Sequence, residues 1–174
     1  MKKLSVRRLT LCAMLIAMSV VIGIFCKSML NFGGGLFRIT FENLPIILSG
    51  MIFGPVLGGA VGLCSDIISY LLTGQAYPLN LIVTFGSFAV GVVSGIMAKY
   101  VVKKRGTLQV IASAGTAHIV GSMIIKPIGL YAFYGIAVLW RIPMYLVIAP
   151  LEILLICILM KRDAFARLID GTDL

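Results

Sequence analysis

Four basic side chains bracket two segments of the chain that are rich in aromatic residues. Lys27 and Arg38 enclose the first segment, and Lys126 and Arg141 enclose the second. Aromatic faces stack on planar rings, and lysine or arginine donates charge-assisted hydrogen bonds to a carboxylate. The pattern therefore predicts a binding site for a planar heterocycle that carries a negatively charged tail.

The residues predicted to contact this ligand combine rings, amides and charges. They are Arg38, Phe41, Asp66, Gln75, Tyr77, Asn80, Lys126, Tyr131, Tyr134, Arg141 and Tyr145. Anchoring at the membrane surface is the alternative role, because long basic side chains also reach lipid headgroups and tyrosines also form interfacial belts. Asp66 lies deep in an apolar stretch, where an unpaired charge is costly. It is expected either to bond the ligand or to pair with Arg38 or Arg141.

The composition excludes a soluble protein. Of 174 residues, 60% are hydrophobic and 12% are charged, whereas a soluble domain has about 25% charged residues. The net charge of +9 does not indicate nucleic-acid binding, because the basic residues fall in short clusters between apolar blocks. We therefore predict an integral protein of the plasma membrane, embedded in the lipid bilayer.

Motifs for catalysis and metal binding are missing from the sequence. There is no P-loop, HExxH or GxSxG motif, and the four cysteines are isolated. No catalytic residue, metal or cofactor is therefore expected. The single histidine, His118, is expected to form a hydrogen bond between packed helices, although a functional role is the alternative.

The apolar pattern predicts an all-α bundle of six membrane-spanning helices in one domain. The expected spans are 9–25, 39–53, 55–72, 79–97, 108–126 and 142–160. The second and third spans should form a tight hairpin at Phe53-Gly54-Pro55. All but four of the 15 basic residues then share one side, which predicts that both termini are cytoplasmic.

Two alternatives bear on this topology. The apolar run 127–140 could be a seventh span, but the charge asymmetry favours an outer loop there. The first span also resembles a cleaved secretory signal, although its apolar stretch is longer than usual.

Small residues recur every four positions on two spans. Gly54, Gly58 and Gly62 form one stripe, and Ala13 and Ala17 form another. Such stripes allow another helix to approach closely. They predict either a docking face for a partner subunit or close packing within the chain's own bundle.

The run FRITFENLPIILSGMIFGPVLGGAVGLCSDIISYLL, residues 37–72, resembles the substrate-capture subunits (S components) of energy-coupling factor (ECF) vitamin transporters. It is most similar to their folate-specific branch. The resemblance implies a subunit that binds folate or a related vitamin in an outward pocket and has no ATPase of its own. It also implies docking, through small residues of the first three spans, onto a transmembrane scaffold subunit that carries two ATP-binding-cassette ATPases.

Several different functions are kept as alternatives. S components for pantothenate, hydroxymethylpyrimidine or queuosine precursors share the pattern loosely. A stand-alone carrier would be expected to show internal repeats, which the sequence lacks. A membrane enzyme would have only His118, Asp66 and Glu152, on separate spans, to act with. A small structural membrane subunit is the last alternative.

Overall fold

The computed structural model describes the backbone of residues 6–32, 37–73, 79–102 and 106–161, with side chains except at positions 31, 32, 37, 38 and 141. Nearly all of it is helical. The helices are α1 (Val6–Met29), α2 (Asn43–Phe53), α3 (Pro55–Thr73), α4 (Leu81–Ile96), α5 (Thr107–Ala117), α6 (Lys126–Tyr134) and α7 (Arg141–Met160).

Shorter elements connect these helices. A two-residue antiparallel pair, β1 (Asn31–Phe32) and β2 (Phe37–Arg38), lies between α1 and α2. A π-helical segment, Met97–Val101, extends α4, and a second one, His118–Ile125, joins α5 to α6. A 3₁₀ segment, Gly135–Trp140, leads into α7.

The length of the helices fits six membrane crossings. Within the described ranges, five helical stretches are long and apolar enough to span a bilayer: Val6–Met29, Pro55–Thr73, Leu81–Val101, Thr107–Trp140 and Ile142–Met160. The shorter apolar helix α2 is the sixth. Large apolar side chains on the outside of the bundle, such as Val21 and Leu146, are both 65% exposed, as expected for a surface in contact with lipid tails. The six-helix membrane bundle predicted from the sequence is confirmed.

The hairpin between α2 and α3 is also confirmed. Gly54 lies between them with φ of 95°, a conformation that residues with a side chain rarely adopt. Pro55 then begins α3, where its missing N–H leaves no hydrogen bond unmade.

Glycines bring α2, α3 and α4 into very close contact. A Cβ atom added at Gly58 would lie 2.5 Å from Gly50 Cα on α2 and 2.6 Å from the Gly91 oxygen on α4. We call Gly50, Gly58 and Gly91 the glycine junction. A Cβ at Gly62 would overlap the backbone of Ser87 in the same way. The three helices therefore pack backbone against backbone.

This packing favours one of the two interpretations that the sequence left open for the glycine stripe. Gly58 and Gly62 face helices of the same chain, and a Cβ at Gly54 would lie 3.2 Å from the Lys99 side chain. Of the two interpretations left open by the sequence, packing within the bundle is the one observed. Ala13 and Ala17, in contrast, are exposed on α1.

The segment 127–140, predicted as an outer loop, is helical instead. Its helix continues directly from α5, and α6 runs along α4, where a Cβ at Gly129 would lie 3.0 Å from Ile82. Pro127 does not interrupt the helix because it lies in the first turn of α6, where proline is tolerated. The chain turns only at Gly135, with φ of 56°.

Candidate functional site

The first turn of α2 lies inside the bundle rather than at its surface. With 11 residues, α2 is about 16 Å long, whereas the hydrocarbon layer is about 30 Å thick. The hairpin at Gly54 lies at one end of this helix, and Asn43 lies at its opposite end, where its side chain is fully buried. Polar side chains of the neighbouring helices meet at this point.

A cluster of four polar residues surrounds the start of α2. Lys126 Nζ donates to Asn43 Oδ1 at 3.1 Å and lies 3.8 Å from Glu42 Oε1. Asn43 Nδ2 donates to Ser122 Oγ at 3.3 Å. We call Glu42, Asn43, Ser122 and Lys126 the α2 polar cluster. Lys126 is only 5% exposed, and a lysine is rarely buried to this extent without such partners.

Local packing explains how the two charged residues reach each other. The stem of Lys126 crosses α4 at Gly86, where a Cβ would lie 2.7 Å from Lys126 Cγ. Glu42 faces α1 at Gly23, where a Cβ would lie 3.0 Å from Glu42 Oε2. Ser19 on α1 also donates to the Glu42 backbone oxygen at 2.7 Å. Two glycines therefore make room for the charged side chains between helices.

Further polar contacts join α1, α3 and α4. Lys27 on α1 donates to Ser69 Oγ on α3. Asp66 on α3 accepts hydrogen bonds from Thr84 Oγ1 at 2.7 Å and from Ser87 Oγ at 3.4 Å, both on α4. A Cβ at Gly23 would lie 3.4 Å from Ser69 Oγ, close to Glu42 as well. The α2 polar cluster is thus bordered by a second set of hydrogen-bonding groups.

The side chains of this region are suited to hydrogen bonds with the polar edge of a ring. They are less suited to a metal ion or to an anion alone. Its described charged groups are two acids, Glu42 and Asp66, and two cations, Lys27 and Lys126. Carboxylates accept hydrogen bonds from N–H groups, while ammonium and amide groups donate to ring nitrogens and carbonyls. In the described part of the chain, no group of three or more His, Cys, Asp or Glu is placed to hold a metal ion.

The structure brings some of the predicted site residues together. Lys126 is central to the α2 polar cluster, and Phe41 is half-buried just before it. The carboxylate of Asp66 accepts hydrogen bonds from two side chains of α4. Gln75 and Tyr77 lie outside the described residues, and the side chains of Arg38 and Arg141 are not described. Their predicted contact with the ligand, and the pairing of either arginine with Asp66, stay predictions.

The remaining predicted residues lie elsewhere. Asn80 caps α4 by accepting from the Ile82 N–H at 2.9 Å and donates to the Gly129 oxygen. Tyr131 lines an apolar groove of about 460 Å³ together with Ile124 and Ile128. Tyr134 packs on an apolar cluster with Val83, and Tyr145 packs beside His118. The ligand contacts predicted for these four residues stay predictions.

Sequence reasoning did not place Glu42, Asn43 or Ser122 in the site. Glu42 does precede α2, but its side chain makes no capping bond and points to Lys126 instead. The sequence does carry one signal: His118, Ser122 and Lys126 recur at intervals of four, which places polar groups on one side of a helix.

His118 lies beside a carboxylate of another helix, and the hydrogen bond between helices that the sequence predicts for it stays a prediction. Its Nε2 lies 2.6 Å from Glu152 Oε2 on α7, and both side chains are fully buried.

Comparison with known proteins identifies the family. Residues 7–169 match the family described as "ECF transporter, substrate-specific component". A curated relative, "Folate transporter FolT" of Clostridium novyi (strain NT), is 30% identical over 103 residues, which cover 58% of this chain and 57% of the relative. The match thus spans less than two thirds of the relative's length.

A solved structure shares the fold. "Crystal structure of FolT bound with folic acid" superposes with a TM-score of 0.68 at 22% identity, covering 88% of this chain and 92% of the matched chain. Because the family match covers almost the entire chain, the protein belongs to the substrate-specific components of ECF transporters and is a multi-pass protein of the plasma membrane.

Proposed function

We propose that this chain captures folate for an ECF importer. The observation that carries the proposal is the α2 polar cluster, bordered by Asp66 and Lys27, inside a bundle that superposes on FolT with folic acid. The curated relative is named as a folate transporter as well.

The geometry suits the two ends of folate differently. Its fused ring carries N–H donors beside carbonyl and nitrogen acceptors, which match the carboxylate of Glu42 and the amide of Asn43. Its glutamate tail carries two carboxylates, which need cations. Since the described acids and lysines balance each other, the tail is assigned to Arg38, with Arg141 as a second partner.

Binding of folate by the purified protein is the direct test. We expect quenching of folate fluorescence and measurable heat in isothermal titration at submicromolar ligand. Pantothenate and hydroxymethylpyrimidine are titrated in the same way as comparison ligands. If one of these binds and folate gives no heat, the substrate is wrong while the family assignment stands.

Replacing Arg38 by alanine should weaken folate binding. A hydrogen bond to a charged group contributes about 1.5–3 kcal/mol, which corresponds to a roughly ten- to hundredfold loss of affinity. Lys161→Ala, at the exposed end of α7, is the control and should bind normally. Normal folate affinity in the Arg38 variant would show that this arginine only anchors the chain at the lipid headgroups.

The proposed partners are a transmembrane scaffold subunit and two ATP-binding-cassette ATPases. With the glycine stripe buried, Ala13 and Ala17 on α1 are the predicted docking residues that are exposed. Leucine at both positions should leave folate affinity of the isolated subunit unchanged. It should reduce ATP-dependent uptake into vesicles at least tenfold, because the side chains hold the scaffold helix away.

Ala132→Leu provides the matched control for this experiment, since Ala132 is exposed on α6 instead of α1. It should transport like the unmodified protein. Normal uptake with leucine at both Ala13 and Ala17 would place the docking face elsewhere.

A further inference from the structure

The contact between His118 and Glu152 lies apart from the proposed folate contacts. Nε2 of His118 and Oε2 of Glu152 are 2.6 Å apart, and neither side chain reaches the surface. The ring of Tyr145 lies beside that of His118, with centroids 6.5 Å apart. Replacing both partners of a buried polar contact with apolar groups of similar shape is often neutral or stabilising. Stability alone therefore does not account for this pair.

The position of His118 in its helix suggests another role. His118 is the first residue of the π-helical segment His118–Ile125, and Lys126 comes directly after its last residue. π-Helices make up well under 1% of residues in proteins and occur often at functional sites. Since such a segment has little intrinsic stability, contacts at its ends must maintain it.

Both ends of this segment are held by polar contacts. His118 is tied to α7 through Glu152, while Ser122 and Lys126 are tied to Asn43 on α2. The side chains of His118, Ser122 and Lys126 are all buried. If the first contact were lost, the segment could relax to an α-helix. Relaxation by one residue rotates the helix beyond the segment by about 100°, because an α-helix has 3.6 residues per turn.

We propose that His118 and Glu152 are positioning residues for the substrate site. They hold the π-helical register of 118–125, and this register directs Lys126 toward Asn43 and Glu42. The inference rests on the proposed function, because folate is the ligand whose affinity reports on the site.

The test combines two substitutions of Glu152 with one of Lys126. Glu152→Gln keeps an oxygen that accepts from His118 Nε2–H, so it should bind folate within about threefold of the unmodified protein. Glu152→Leu removes that acceptor and should weaken binding at least tenfold. In a Lys126→Met background, Glu152→Leu should cause no further loss, because the pair acts through Lys126.

Two results would overturn the proposal. The first is that Glu152→Leu weakens folate binding by the same factor in the unmodified protein and in Lys126→Met. Such additivity would indicate general damage to the fold rather than an effect that acts through Lys126. The second is equal loss in the Gln and Leu variants.

A measurement without ligand separates this inference from the folate assignment. Hydrogen exchange of the ligand-free protein should show that Glu152→Leu alters amide exchange in 118–126 and leaves α1 and α3 unchanged. Unaltered exchange in 118–126 contradicts the positioning role, whether or not folate binds. Absence of folate binding by the unmodified protein, in contrast, contradicts only the substrate.

Discussion

Leucine in place of Gly58 should destabilise the whole bundle. A Cβ at this position would approach backbone atoms of Gly50 and Gly91, which cannot rotate away as side chains can. Overpacking a core costs about 1–3 kcal/mol and sometimes more, and contact with two backbones favours the upper end. Because each kcal/mol shifts the melting temperature of a chain of this size by about 2–4 °C, we expect a decrease of roughly 10 °C.

Thermal unfolding of the purified protein in detergent measures this effect. Ala60→Leu is the matched control, because Ala60 is exposed on the same helix and should change stability by less than about 0.5 kcal/mol. Folate binding and uptake should fall together in the Gly58 variant. A variant that melts normally and binds folate but fails to transport would restore the stripe as a docking face for the scaffold.

Methionine in place of Lys126 should weaken folate binding strongly, to an affinity that titration still measures. Methionine keeps an apolar stem to pack over Gly86, but it removes the donor to Asn43 Oδ1 and the positive charge 3.8 Å from Glu42. Removing one partner of a buried charged pair costs about 3–5 kcal/mol. If this free energy is lost from folate binding, the affinity for folate falls by a hundredfold or more.

The control for this substitution is Lys161→Met, at an exposed lysine, which should bind folate normally. Melting curves of both variants without folate separate loss of the site from loss of the fold. Unchanged affinity in Lys126→Met would mean that Lys126 merely balances the charge of Glu42.

The sequence was sufficient to predict the number of membrane-spanning helices and the sharp turn between α2 and α3. Apolar length determines what can cross a bilayer, and Gly54-Pro55 is specific to a helix end followed by a helix start. It was not sufficient for the segment 127–140, because an apolar composition is compatible with both a helix and a membrane-embedded loop. Charge counting decided how many times the chain crosses, but not where the helix ends.

The site was only partly predictable for a related reason. Lys126 was found because a lysine on the side poor in basic residues needs an explanation. Asn43 and Ser122 were missed because they are 79 residues apart in the chain and meet only through packing. Likewise, the spacing of Gly58 and Gly62 shows that a helix approaches closely, but it does not show whether that helix belongs to the same chain.

The short and enclosed α2 has a consequence for biogenesis. Residues Asn43 to Ile52 are all buried, and a segment of this length is too short to partition stably into a bilayer by itself. The nascent chain must therefore deliver α2 together with α3, as the two arms of one helical hairpin. Its backbone is covered only when α4 arrives to form the glycine junction. Membrane integration of these three helices is thus one cooperative event, rather than a series of independent single-helix insertions.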